Sequence, residues 1–209
     1  MFRAFFLILS RLSVPGWVAV VWLLFVAGCE EESTVARDDL AGLINEYRKD
    51  RGLDEIPLSV SLTKVAELHV RDLADNQPVK GNCNLHSWSD KGSWSSCCYT
   101  DDHAQAACMW NKPRELTDYP GNGYEIAAWS SIDITAEQAL SLWKESSGHN
   151  NVILNKETWK NIEWNAMGAA MYKGYAVVWF GKEVETPRVA SHDIQTTHVM
   201  SVHDVKIMN

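Results

Sequence analysis

Cys83, Cys97, Cys98 and Cys108 fall within one short stretch of the chain, and two of them are adjacent. Adjacent residues bridge only with severe strain, so Cys97 does not pair with Cys98. Cys83 takes one of the two and Cys108 the other, and the spacing leaves open which. Such bridges persist only where thiols oxidise, which requires export. Each closed loop contributes about 3 kcal/mol in the chain-entropy model, so residues 77–122, the least periodic part of the chain, become rigid. A zinc site is the competing use of four cysteines, but no CxxC spacing is present.

The N-terminus supplies the export. Arg3 and Arg11 stand among apolar residues, and the run WVAVVWLLFVAG from Trp17 to Gly28 carries no charge. Twelve residues are short for a spanning helix, which needs about 20, and the pattern reads as a signal peptide over residues 1–28. Val26, Ala27 and Gly28 before Cys29 resemble the lipobox of bacterial lipoproteins, in which that cysteine is acylated and becomes the new N-terminus. At about 0.8 kcal/mol per buried methylene, several chains make a durable anchor where one would be marginal. The mature part keeps 17 basic against 27 acidic residues, a net charge of −10, so an anionic membrane would repel it and lipid must hold it. The same acidity, with no basic stripe, argues against a nucleic-acid partner. The protein is therefore expected on the periplasmic side or surface of a bacterial membrane, tethered through Cys29.

Beyond a linker over residues 29–38, hydrophobic spacing marks the elements. Asp38 and Asp39 can cap a helix carrying Leu40, Leu43, Ile44 and Tyr47, stopped by Gly52. A second helix starts near Ser59 or Ser61 and runs to about Asn76, with Leu62, Val65, Ala66, His69, Val70 and Leu73 on one stripe. His69 in that stripe reads as a satisfied core histidine. Thr135 and Gln138 form a capping box for a third helix, with Trp143 on its apolar side and Gly148 as its stop. Trp164–Tyr172 and Tyr175–Phe180 read as strands turning at Gly174. Helices on both sides of a short, largely antiparallel sheet would bury these faces. Residues 183–209 have no clear period and read as a tail or an added edge. Its His192, His198 and His203 fit no ligand spacing and read as solvated.

Several segments, in order, resemble the CAP superfamily, which includes cysteine-rich secretory, venom-allergen-like and plant pathogenesis-related proteins. They are INEYRKDRGL, IPLSVSLTKVAELHVRDLA, HSWSDKG, GYEIA, LWKESSGHNNVILN and MGAAMYKGYAVVWFG, spanning roughly residues 39–182. Trp143, Ser146, Gly148, His149, Ile153, Leu154 and Asn155 carry the strongest match, to the bacterial WxxSxGHxxxIL pattern. The resemblance implies a three-layer α/β/α sandwich with a disulfide-stapled loop and a cleft that in many members holds two His and two Glu around a divalent metal. His86 matches the first His and His149 the second. Two imidazoles with carboxylates nearby suit zinc.

The acids depart from that pattern. Tyr124 follows Gly123 where the family has Glu, and Glu125 is one residue late. On a strand that shift points a side chain to the opposite face, so Glu125 either reaches the cleft with a local rearrangement or faces outward with Tyr124 in its place; the reading favours the cleft. Ser146 stands where the second Glu would be, with Glu145 one residue earlier and about 100° away around a helix.

Function is read from the site, because folds of this kind host several roles. The favoured expectation is a non-catalytic binding module that holds a lipid, glycan or protein through His86, His149 and Glu125. The rival is a zinc-assisted peptide or ester hydrolase with Glu125 or Glu145 as general base. No nucleophile elbow, HExxH or catalytic cysteine is present, which favours the first. Trp88, Trp94 and Trp110, in the stapled segment, are candidates for an aromatic recognition surface.

Overall fold

A computed structural model describes residues 38–185. The segment expected to be a signal peptide, the expected acylation site Cys29, most of the expected linker and the tail histidines lie outside the described residues. Among the described residues, no helix is long and apolar enough to cross a membrane.

The chain opens with α1 (Asp38–Lys49) and α2 (Val60–Arg71), the latter capped by Ser59, whose Oγ accepts the Leu62 amide at 2.9 Å. A π turn over Asp72–Asn76 prolongs α2 and ends at Gln77 in the left-handed region. The cysteine-rich segment is bridged Cys83–Cys98 and Cys97–Cys108, one of the arrangements the spacing allowed. It also contains two short helices the spacing did not signal, α3 (Ala106–Trp110) and α4 (Lys112–Leu116). Then follow β1 (Gly123–Trp129), α5 (Ala136–Glu145), α6 (Ser147–Ile153), β2 (Ala166–Tyr172) and β3 (Tyr175–Gly181). The Thr135–Gln138 capping box is formed, but α5 stops at Glu145 with Ser146 as its C-cap. Gly148 therefore does not end that helix; it sits in the first turn of α6.

The three strands are antiparallel in the order β1-β3-β2. Lys173 and Gly174, both at positive φ, make the two-residue β2–β3 turn, the conformation a tight hairpin demands. In the central strand, Ala176, Val178 and Phe180 join the core beneath α1, α5 and α6. Val177 and Trp179 join the core beneath α2 and the stapled segment. The period-two alternation of a fully buried strand thus generates the three-layer α/β/α sandwich. Gly168 in β2 lets α2 approach closely: a Cβ there would lie 2.1 Å from the Leu62 carbonyl carbon and the Thr63 nitrogen.

Candidate functional site

His69 occupies the sheet-facing stripe of α2, four residues after Val65 and seven after Leu62, and is completely buried. Its Nδ1 lies 2.5 Å from Glu125 Oε1, and its Nε2 lies 3.0 Å from the Ser87 carbonyl oxygen. The core histidine read from the stripe is thus satisfied, but its partner is the acid predicted for the cleft. Glu125 sits on edge strand β1 with its side chain fully buried, and its other oxygen, Oε2, lies 2.8 Å from His86 Nδ1. One carboxylate therefore meets two imidazoles, one from a helix and one from a loop.

The charges follow from the partners. Burial alone would push the Glu125 carboxyl up; the interaction with His69 and the hydrogen bonds from His69 and His86 outweigh it and hold the group below its ordinary value. An ionised carboxylate and a carbonyl only accept, so His69 is held between two acceptors, one on each ring nitrogen. His86 donates from Nδ1, which leaves Nε2 as an acceptor. No protein partner for that Nε2 occurs among the described residues.

The HSWSD stretch is clamped residue by residue. Ser87 Oγ accepts the Tyr99 amide at 2.9 Å, and the Trp88 and Cys97 backbones exchange hydrogen bonds at 2.8 and 3.0 Å. Ser89 donates from its amide and hydroxyl to buried Asp72 of the π turn at 2.7 and 2.5 Å. Trp88 stacks on His69 at 4.2 Å, and the buried Lys112 ammonium lies 5.3 Å from the Trp88 ring centroid. On the other side, Asn84 donates its amide to the Tyr99 carbonyl at 2.9 Å and its Oδ1 accepts the His86 amide at 3.1 Å, so His86 is fixed from both directions along the chain.

His86 and Glu125 border a cleft of about 580 Å³ at the edge of β1. Its walls come from the stapled segment (Tyr99, His103, Met109, Trp110), from β1 (Tyr124, Ile126), from α6 (Gly148, His149, Val152) and from Thr158 and Trp159. Both predicted histidines line this cleft. His149 is held below its ordinary pKa by burial and, secondarily, by the neighbouring His86. Tyr99 is raised by burial and by Glu125, and its hydroxyl pairs with His103 Nδ1 at 2.9 Å. Glu125 and Tyr124 both reach the cleft, because an edge strand offers two faces to a hollow at its rim.

Other candidates lie elsewhere. Glu145 is exposed on α5 and is not among the lining residues. Trp88 is 2% exposed and packed between His69 and Lys112, so it offers no recognition surface. Trp94 folds its edge against Trp88 and donates from Nε1 to the Ser89 carbonyl at 3.0 Å, outside the cleft. Trp110 alone of the three lines it. Sequence reasoning missed the role of His69, although its stripe pointed at the sheet, and missed His103, Tyr99 and Trp159, whose positions depend on the staples and on the turn after α6.

The donors present do not fit zinc. A catalytic zinc takes three protein ligands and a structural one four. Among the described residues no three His, Cys, Asp or Glu side chains are arranged to hold a metal, and both Glu125 oxygens are already engaged.

Two helical layers enclosing a short antiparallel sheet, with a histidine-lined cleft at its edge and a disulfide-tied rim, define the class. The model of the cysteine-rich secretory protein family, CAP, matches residues 41–176, and the chain belongs to that family. Among solved structures, the fold is similar to an extracellular protein containing an SCP domain from Bacillus anthracis, at 18% identity and a TM-score of 0.50, covering 70% of this chain and 40% of that one. An outer surface protein from Borrelia burgdorferi matches at 17% identity and 0.48, covering 72% of this chain and 99% of that one. A cysteine-rich secretory protein from Staphylococcus aureus matches at 15% and 0.45, covering 69% and 37%. The chain thus spans about two fifths of the Bacillus and Staphylococcus proteins. At these identities the likeness concerns the fold. No curated protein matches the chain.

Proposed function

We propose that the protein is an exported, lipid-anchored binding module that holds a ligand in the cleft between His86 and His149. The engagement of both Glu125 oxygens by imidazoles carries this reading: the carboxylate positions the site and is not free to take a proton from water. A preformed concave hollow with aromatic walls and a few convergent polar groups is the usual form of a small-molecule site. The hydrolase reading keeps less support, because Glu145 is solvent-exposed and the donors fall short of a zinc set. Two disulfides favour an oxidising compartment, and a lipid on Cys29 would hold the domain there.

Three measurements test the proposal. The full chain should broaden the fluorine signal of 4-fluorobenzyl alcohol, a neutral aromatic probe, and His149→Trp, which fills the cleft, should abolish that effect; an unchanged signal with the unmodified chain removes the binding reading. Zinc-dependent cleavage in a panel of peptides and esters, lost in His149→Ala, would establish the hydrolase instead. Cys29→Ser should move the protein from the membrane to the soluble fraction and remove the acyl mass; an unchanged membrane pool excludes lipid anchoring.

A further inference from the structure

Trp110, Tyr124 and Trp159 come from three separate segments and meet on one wall of the cleft, each half-buried. The Trp110 and Tyr124 ring centroids are 5.8 Å apart, and those of Tyr124 and Trp159 are 5.4 Å apart. Besides Glu125, the polar lining consists of imidazoles and hydroxyls: His86, His103, His149, Tyr99 and Thr158. Among the described residues no lysine or arginine lines the cleft, and Lys182, which lies 5.8 Å over the Tyr124 ring, is not among the lining residues. Among the described lining residues the one carboxylate, Glu125, has both oxygens engaged, by His69 and His86.

This combination discriminates between ligand chemistries. A phosphate, sulfate or carboxylate would leave water without a cation to receive it, and an ammonium group would find no free acid. An acyl chain would strip water from His86 Nε2 and the other polar edges and return no hydrogen bond. A molecule with apolar ring faces and several hydroxyls satisfies both walls, stacking its C–H faces on the aromatic wall and donating to imidazole nitrogens. Resting on the binding-module reading above, we infer that the cleft takes a neutral oligosaccharide. The cleft, at about 580 Å³, is within the ordinary range for small-ligand sites of roughly 300–1,000 Å³. His86, oriented by Glu125, offers its Nε2 to a sugar hydroxyl.

Tryptophan fluorescence of the full chain, titrated with maltotriose and with chitotriose, tests this. At least one of them should give a saturable change, weakened about tenfold by Trp159→Ala and by Trp110→Ala, the magnitude expected from loss of one stacking face. Trp129→Ala, at a tryptophan 54% exposed and not among the lining residues, should leave the titration unchanged. Circular dichroism identifies any variant that fails to fold, and the two wall variants are independent of one another. If 4-fluorobenzyl alcohol enters the cleft but neither trisaccharide binds, the saccharide inference is overturned while the binding reading survives. Saturable oleate binding without sugar binding overturns it in favour of an acyl ligand. If neither the probe nor the sugars bind, the binding reading itself fails.

Discussion

The two faces of the sheet bury their polar groups differently. Beneath α1, α5 and α6 the core is almost wholly apolar, and its indoles are satisfied: Trp143 donates to the Ala127 carbonyl and Trp164 to the Val152 carbonyl. Arg48, the buried charge on that side, ties α1 to the end of α6 through the Ile153 carbonyl and Asn155. The α2 face buries His69, Asp72, Ser87, Lys112 and Glu125, and Trp88 and Trp179 leave their Nε1 atoms without a hydrogen-bond partner among the described residues. The first face depends on distributed packing, in which one lost contact leaves the others intact. The second depends on a linked polar set, in which one lost member strands its partners. The cleft lies where the linked set reaches the sheet edge.

The sharpest way to break this contrast is His69→Leu. It leaves the buried Glu125 carboxylate without its closest partner and should cost about 3–5 kcal/mol in chemical denaturation, much of it recovered in His69→Leu/Glu125→Leu. A cost below 1 kcal/mol would mean the set is not linked. The same pair fixes the acid limb. Because the folded-state pKa of Glu125 is depressed, its stabilisation is present above the unfolded carboxylate value of about 4.3 and is lost as pH falls through the folded value; Glu125→Gln should flatten that limb.

Next in size, Cys97→Ser with Cys108→Ser should cost about 2–4 kcal/mol and loosen the Tyr99–His103 rim more than the α1 face, as hydrogen exchange would register. Gly168→Ala drives a methyl into the α2 backbone and should cost about 1–3 kcal/mol by overpacking. Thr135→Ala, which removes a cap on the apolar side, should cost about 1 kcal/mol and leave 4-fluorobenzyl alcohol binding unchanged. Loss of probe binding there would show that the two faces are coupled.

Legibility in the sequence follows the same division. The start of α2 near Ser59 or Ser61, the Thr135 capping box, the hairpin and the two-sided burial of Tyr175–Phe180 are readable, because each is set by local chemistry or by a period of 3.6 or 2. The order of short motifs identified the family and marked His86 and His149. The end of α5 was misread because Gly148 resembles a stop, whereas Ser146, in extended backbone, breaks the helix and starts α6. The pairing of the cysteines, α3, α4 and the presence of Trp159 in the cleft depend on contacts between distant segments. Against the family pattern, Glu125 and Glu145 are each displaced by one residue, and the sequence favours Glu125 for the cleft. Burial separates them, since one is enclosed by two imidazoles and the other faces solvent.

Cys97 and Cys98, neighbours on the chain, are fastened in different directions, one forward to Cys108 and the other back to Cys83. Tyr99 follows at once and His103 comes before Cys108, so the bank of the hollow they form is moored fore and aft. A guest of the kind proposed above would meet a berth whose shore is tied to the chain on both sides before it arrives.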